Sequence, residues 1–125
     1  FEGVVVFVPG TAPGDRVRVR VTARKPRFLE AEVVEVLQPG PARRQPPCPV
    51  AHRCGGCSWQ HITYAEQLKQ KDKILRDSLR KLEGSFEVRE LIAAPDEFHY
   101  RNRIQLQIRG GASGFFAKRT RDLVP

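Results

Sequence analysis

Three cysteines lie within ten consecutive positions of this 125-residue chain. The segment CPVAHRCGGCSWQH, residues 48–61, carries Cys48, Cys54 and Cys57, and the sequence has no other cysteine. An odd number of closely spaced thiols is unsuited to a disulfide framework and indicates a reducing compartment. Three thiolates and one further ligand are the usual donor set of an iron–sulfur cluster or of a zinc ion. The spacing therefore predicts a metal centre whose fourth ligand has to be found.

Iron–sulfur and zinc chemistry both suit this spacing. Gly55 and Gly56 would let the backbone approach a bulky [4Fe–4S] cluster without a side-chain clash. A zinc ion could instead be completed by His61, or by His52 from inside the loop. A third interpretation is three buried thiols without a metal, which the polar, Pro- and Gly-rich segment disfavours. The spacing alone does not separate iron–sulfur from zinc.

The positive charge is concentrated in two parts of the chain. The net charge is +8, yet residues 64–98 carry seven Lys or Arg and eight Asp or Glu. Residues 39–63 carry three arginines and no acid, and residues 99–121 carry six Lys or Arg and no acid. Such patches attract phosphates, which favours nucleic acid as a partner over a merely solvated basic surface. No apolar run approaches the ~18 residues that a membrane span needs.

Residues 1–38 have the pattern of a strand-rich unit. The segment DRVRVRVTAR alternates strictly, which places Arg18 and Arg20 on the outer face of a half-buried strand. The following segment FLEAEVVEVLQ directs Leu29, Ala31 and Val33 inward and then changes phase at Val34, which predicts a β-bulge. With a first strand over residues 2–8, these make three short strands, expected to be antiparallel.

Three strands are too few to close a small barrel of the oligonucleotide-binding kind, which needs about five. We therefore expect a barrel that is incomplete at its N-terminus, with at least one strand upstream of Phe1. Both ends of the chain suggest an interior piece of a longer protein. The proline-rich residues 39–47 predict a linker that leads to the first cysteine.

A helix is predicted directly after the cysteines. Thr63 is the expected N-cap, and Glu66 three residues later completes a capping box. Gly84 is expected to end this helix. Its apolar stripe has helical spacing and consists of Tyr64, Leu68, Leu75, Leu79 and Leu82.

The segment HYRNRIQLQIRGGASGFFAKR predicts a β-hairpin that turns at Gly110–Gly111. Its alternation directs Ile104, Leu106 and Ile108 inward, and the outward face then carries Arg103, Gln105, Gln107 and Arg109. Arginine and glutamine beside aromatic rings suit an unpaired RNA strand. Because aromatic residues in strands are usually buried, we expect one of Tyr100, Phe115 and Phe116 to be exposed, not all three.

Four signatures in order resemble the bacterial RNA uracil-5-methyltransferases, which methylate C5 of a uridine in 23S ribosomal RNA or in the T-loop of tRNA. The segment FVPGTAPGDRVRVRVTARKPRFLEAEVVEVLQP resembles the end of the family's N-terminal TRAM domain. The pattern C-x5-C-G-G-C-x-x-Q-H, a capped helix with QL and K, and a strand with YRN follow. The resemblance covers essentially the whole chain.

The resemblance implies a mainly β chain with three parts. These are an OB-fold-like TRAM domain at 1–38, a linker at 39–47, and a small, truncated α+β iron–sulfur and central domain at 48–125. It implies a structural [4Fe–4S] cluster on Cys48, Cys54 and Cys57, with a fourth cysteine about five residues past Pro125. The S-adenosylmethionine site, the nucleophilic cysteine and the general base would lie in a C-terminal Rossmann-like domain, so no catalytic residue is expected here.

RNA is the expected partner, and the chain is expected to act as a cytoplasmic monomer without membrane contact. The alternative is a non-enzymatic, zinc-containing RNA-binding protein. The residues predicted to contact RNA are Arg18, Arg20, Tyr100, Arg101, Arg103, Arg109 and Arg119.

Overall fold

The computed structural model describes residues 3–80, 82 and 87–125, and it consists of two compact units. The first unit comprises Phe1–Pro47 and Ser58–Ile62, and the second comprises Cys48–Cys57 and Thr63–Pro125. Each unit holds a three-stranded sheet, and the second also holds a helix. The chain is therefore mainly β, as predicted.

The sheet of the first unit has the strand order β1-β3-β2. Its strands are β1 (Val5–Phe7), β2 (Arg16–Arg24) and β3 (Phe28–Gln38). β2 and β3 are antiparallel, as expected, whereas β1 lies parallel to β3 along its other edge. The prediction of antiparallel pairing for the first strand is therefore wrong, because β1 pairs with β3 and not with its sequence neighbour β2. Within the described residues this sheet is open and does not close into a barrel.

The predicted bulge in β3 is confirmed. Arg18 pairs with Glu35 and Val19 pairs with Val33, so Val34 has no partner on β2. An extra residue of this kind restores the inward phase on both of its sides and increases the local twist. Ala31 is fully buried on the inner face, at 0% exposure.

The apolar core of the first unit is small. Its buried hydrophobic residues are Ala12, Ala31, Ala42 and Ile62. Phe7 and Phe28 meet edge to face across β1 and β3, with ring centroids 5.2 Å apart, which adds about 1 kcal/mol to area burial. Because a core built mainly of alanines buries little apolar surface, it contributes little to the free energy of unfolding. Hydrogen bonds and ion pairs between segments therefore contribute a larger share of the stability.

Residues 39–47, the predicted linker, are grouped with the first unit. Ala42 is buried, and Arg43 forms an isolated bridge with Ile62. The amide of Arg44 donates to the carbonyl of His61 at 2.9 Å, and its Nε donates to the carbonyl of Gln60 at 3.0 Å. Prolines exclude a regular strand here, but side-chain and backbone hydrogen bonds hold the segment without one.

Helix α1 spans Tyr64–Leu79, in the second unit. Thr63 occupies the N-cap position, and its carbonyl accepts from the amide of Gln67 at 3.0 Å. The predicted capping box is absent, because Thr63 makes no side-chain cap bond and Glu66 instead accepts from Nε2 of Gln70 at 2.6 Å. Gly84, the predicted end of the helix, lies outside the described residues. Among those residues, no helix is long and apolar enough to span a membrane.

The second sheet contains β4 (Gln107–Arg109), β5 (Ala112–Phe116) and β6 (Leu123–Val124), all antiparallel. The predicted hairpin turn is confirmed, with Gly110 at φ 58° and Gly111 at φ 79°. Ile104, Leu106 and Ile108 are all exposed, Ile108 by 81%, so the prediction that they point inward is wrong. β4 is a short edge strand, and no described element covers these side chains.

Candidate nucleic-acid interface and cysteine loop

The cysteine loop, Cys48–Cys57, is attached to the end of β5. The amide of Gly55 donates to the carbonyl of Phe116 at 2.9 Å, and Cys54 forms an isolated antiparallel bridge with Ala117. The amide of Lys118 donates to the carbonyl of Arg53 at 2.9 Å. Consecutive backbone bonds of this kind act as a short extra strand and fix the loop on the sheet.

The two glycines of the loop are explained by close packing on β5. A Cβ on Gly55 would lie 2.7 Å from the carbonyl oxygen of Phe116. A Cβ on Gly56 would lie 2.9 Å from the ring of Phe115. Both distances are shorter than a carbon atom tolerates, so only glycine fits without a shift. Packing against β5 therefore requires glycine at both positions, and the cluster that the spacing predicts stays a prediction.

The three cysteines have the donor chemistry of a metal site. None of them forms a disulfide, and Cys57 is exposed while Cys48 and Cys54 are half-buried. The Sγ of Cys54 accepts from the amide of Gly56 at 3.3 Å. Across the described part of the chain, however, no three His, Cys, Asp or Glu side chains are gathered into a metal-binding group. The thiols fit a metal in type, and their assembly around one stays a prediction.

His61, the zinc ligand considered beside the cysteines, already has a partner. One ring nitrogen, Nε2, lies 3.0 Å from the carbonyl oxygen of Thr11 in the first unit. Because a carbonyl only accepts, this contact makes Nε2 a donor and leaves Nδ1 as the nitrogen that could bind a metal. His52 is exposed in the cysteine loop.

Arg18 and Arg20, predicted to contact RNA, each face a carboxylate on β3. Nη1 of Arg18 donates to Glu35 at 2.5 Å, and Nε of Arg20 donates to Glu32 at 2.9 Å. All four side chains are solvent-exposed, so each pair contributes little to stability. The pairs nevertheless offset the positive charge that the alternating sequence predicts for this face.

Tyr100, Arg101 and Arg103 are all exposed, as an RNA-contacting group requires. Tyr100 is 65% exposed, and the guanidinium of Arg101 lies 5.9 Å from its ring centroid. Phe115 and Phe116 are half-buried, and of the three aromatic residues Tyr100 alone is exposed. The expectation that not all three rings are exposed is therefore confirmed. An alternative role for Arg101 or Arg103 is a structural ion pair with Asp96 or Glu97 at the start of the strand, and no such pair is present among the described residues.

Tyr100 also lines a shallow cavity of about 220 Å³ on the second unit. Tyr64 and Lys71 of helix α1 line the same cavity, and the amide of Ala94 donates to the Tyr64 hydroxyl at 2.9 Å. The two tyrosines of the chain thus line one depression.

The remaining predicted contacts are Arg109, which ends β4 beside the Gly110–Gly111 turn, and Arg119, which lies in the turn between β5 and β6. Arg109 donates to the carbonyl of Arg121 at 3.1 Å, and its guanidinium lies 5.9 Å from the Phe116 ring centroid. Arg119 adopts a left-handed backbone, φ 62°, in the turn between the strands. The structure adds Arg53 and Lys118 to this region. Sequence reasoning did not select these two cations, although both lie in the acid-free segments.

Comparison with known proteins gives a consistent picture. Residues 1–34 match the TRAM domain family. Over 98% of its length, the chain is 46% identical to an uncharacterized RNA methyltransferase of Bdellovibrio bacteriovorus. Over 83% it is 48% identical to one of Chlorobaculum tepidum, and over 96% it is 41% identical to one of Thermosynechococcus vestitus. The chain spans 32%, 22% and 28% of these relatives, so it corresponds to about a third of their length or less.

Proposed function

Since this chain belongs to the bacterial RNA methyltransferases and carries a TRAM domain, we propose that it is the RNA-recognition part of such an enzyme. The observation that supports this most directly is the similarity along nearly the whole chain to proteins named RNA methyltransferases. The arginine-rich, acid-free tail supports the same assignment, because exposed guanidinium groups bind RNA phosphates.

We propose further that the whole protein methylates C5 of a uridine in 23S ribosomal RNA or in tRNA, in the cytoplasm, with S-adenosylmethionine as the methyl donor. The four sequence signatures described above support this finer assignment. The residues of this chain would bind and orient the RNA, and the methyl transfer itself would take place in the part of the protein outside it.

A [4Fe–4S] cluster held by Cys48, Cys54 and Cys57, with a fourth cysteine further along the chain, belongs to the same proposal. Its support is the donor set: three closely spaced thiols, none of them in a disulfide. When bound, the cluster would supply a covalent tie between the cysteine loop and the following segment. The loop's own contribution is its backbone bonding to β5.

The activity is tested with a protein that contains this chain and the remaining length of its relatives. Methyl-labelled S-adenosylmethionine is supplied with transcripts of 23S ribosomal RNA and of tRNA, and the digested nucleosides are separated. We expect label in 5-methyluridine from one of the two RNAs. Label in a different nucleoside would overturn the uracil-5 assignment, and no transfer to either RNA would overturn the proposed activity.

The metal is tested on the same protein purified without oxygen. We expect about four irons and four sulfides per chain, and disappearance of the brown colour in Cys54→Ser. His52→Ala is the matched control from the same loop and should keep the colour. Stoichiometric zinc without sulfide would overturn the cluster and support the zinc-containing alternative.

A further inference from the structure

The turn between β5 and β6, residues 117–122, is a closed and well-bonded structure. The amide of Ala117 donates to the carbonyl of Asp122 at 2.8 Å, and the amide of Thr120 donates to the carbonyl of Ala117 at 3.3 Å. The Thr120 hydroxyl donates to the Asp122 carboxylate at 3.0 Å. Arg119 lies at the tip of this turn with φ 62°, a backbone conformation that costs a non-glycine residue energy.

The cysteine loop lies against the same turn. Lys118 is held at both ends, since its amide donates to the carbonyl of Arg53 at 2.9 Å and its ammonium donates to the carbonyl of Ala51 at 2.7 Å. Because both of these acceptors are neutral carbonyls, the positive charge of Lys118 is retained. The loop thereby adds the side chain of Arg53 to the cations of the turn.

Four arginines elsewhere in the chain form ion pairs, whereas the cations of this region have no described carboxylate partner. Arg18, Arg20, Arg43 and Arg76 each form an ion pair with Asp or Glu. In the described part of the chain no ion pair involves Arg53, Lys118, Arg119 or Arg121, and all four are exposed. The acid among them, Asp122, accepts the hydroxyl of Thr120. This hydrogen bond leaves Asp122 negatively charged, so the four cations and the one carboxylate give this surface a net charge of +3.

We infer that Arg53, Lys118, Arg119 and Arg121 form one phosphate-binding surface for the RNA backbone, and that the cysteine loop positions it. The inference rests on the proposed function and specifies which face of the second unit RNA contacts. Cations without carboxylate partners attract phosphates most strongly, because no internal acid competes and counterions are released on binding. The backbone bonds between loop and turn fix the spacing of the cations, which preorganises them for binding.

The left-handed backbone of Arg119 permits a clean test. Arg119→Asn removes the charge, and asparagine tolerates a positive φ, so the turn should be kept. The probe is a mixed-sequence single-stranded RNA of about 20 nucleotides, long enough to cover a small domain. Affinity is measured over a range of salt concentrations together with thermal melts. Arg89→Gln, which removes an exposed charge elsewhere in the second unit, is the matched control.

We expect Arg119→Asn and Arg53→Gln to weaken RNA binding with unchanged melting temperatures. The slope of log affinity against log salt should become less steep by about 0.7 for each phosphate that the variant no longer neutralises, and Arg89→Gln should bind normally. Normal binding by both variants while Arg101→Ala binds more weakly would overturn this surface and leave the proposed function standing. Absence of RNA binding by the unmodified chain would overturn both.

Discussion

Asp15 and Arg43 form the most completely bonded ion pair of the first unit. Nη2 of Arg43 lies 2.6 Å from Oδ2 of Asp15, and Nε lies 3.0 Å from each carboxylate oxygen. The amides of Ala12 and Gly40 donate to the same carboxylate at 2.6 and 2.8 Å. The Asp15 side chain is 1% exposed and that of Arg43 is 19% exposed. The pair therefore joins the turn before β2 to the segment after β3, across 28 residues of sequence.

Replacing Asp15 with Asn is expected to lower the free energy of unfolding by about 2 to 3 kcal/mol at neutral pH, because a charged hydrogen-bonding group is removed beside a largely buried guanidinium. The measurement is urea denaturation. Asp77→Asn is the control, since Asp77 is an exposed carboxylate on α1 and should change stability little. An equal effect in both variants would mean that the Asp15–Arg43 pair contributes nothing specific.

The destabilisation caused by Asp15→Asn should decrease at acidic pH. The hydrogen bonds from Arg43, followed by those from the amides of Gly40 and Ala12, hold the pKa of Asp15 well below its usual range. A lowered folded-state pKa stabilises the native protein above the unfolded pKa, near 3.9, and that contribution disappears as pH falls through the folded value. The stability difference between wild type and Asp15→Asn should therefore shrink below about pH 4. A difference that stays constant down to about pH 2 would contradict this assignment of the pKa.

Strands β2 and β3 of the first unit could be predicted from the sequence. The packing of the proline-rich segment 39–47 and its ion pair with Asp15 could not. Period-two alternation and the phase change at Val34 fix β2, β3 and the bulge through local backbone geometry alone. The Asp15–Arg43 pair joins residues far apart in sequence, and proline-rich composition says nothing about what a segment packs against. Alternation also predicts burial of Ile104, Leu106 and Ile108, but it does not show whether a covering element exists.

Neutralising the two acids opposite the β2 arginines tests whether that face binds RNA. In Glu32→Gln with Glu35→Gln, Arg18 and Arg20 lose their carboxylate partners. If RNA contacts this face, affinity should rise and the salt dependence should steepen by about 0.7 for each additional phosphate that is neutralised. Stability should change by less than about 1 kcal/mol, because the pairs are exposed. Glu87→Gln with Glu90→Gln is the charge-matched control, since both glutamates are exposed, and an equal rise there would indicate a general charge effect.

Adding a methyl group to Gly55 tests how the cysteine loop is held. The Cβ of Gly55→Ala would lie 2.7 Å from the Phe116 carbonyl oxygen, so either the loop or the end of β5 must move. Overpacking of this kind costs about 1 to 3 kcal/mol, and thermal unfolding should show the decrease in stability. Gly110→Asn is the control, because no atom lies within 4 Å of an added Cβ and asparagine tolerates the φ of 58°. Unchanged stability in Gly55→Ala would mean that the loop is not docked on β5.

For the site, the sequence identified the residue types but not their packing. The cysteine spacing and the acid-free tail stand out in the sequence alone because both are local. The role of Gly55 and Gly56 against β5 depends on a strand about 60 residues away, which spacing cannot reveal. The pairing of Arg18 and Arg20 with glutamates depends on the register of β3, and a bulge changes that register.

Arg101 and Arg103 are predicted to contact RNA, with Tyr100 stacking on a splayed base. Both arginines are exposed, and the guanidinium of Arg101 lies 5.9 Å from the Tyr100 ring centroid. Replacing both with Ala should weaken RNA binding and flatten its salt dependence by about 0.7 per arginine removed on single-stranded RNA. Tyr100→Ala should weaken binding by about 1 to 3 kcal/mol with little change in salt dependence, because stacking releases no counterions.

Arg76→Ala on α1 is the control for the arginine pair. Arg76 already donates to Asp72 at 2.8 Å, and that hydrogen bond raises its pKa. Its charge is therefore offset locally, and its removal should leave RNA affinity nearly unchanged. Thermal melts separate binding from folding: normal stability with weakened binding in the Arg101 and Arg103 double variant supports direct contact. A lowered melting temperature with normal affinity would show instead that these arginines support the fold and do not contact RNA.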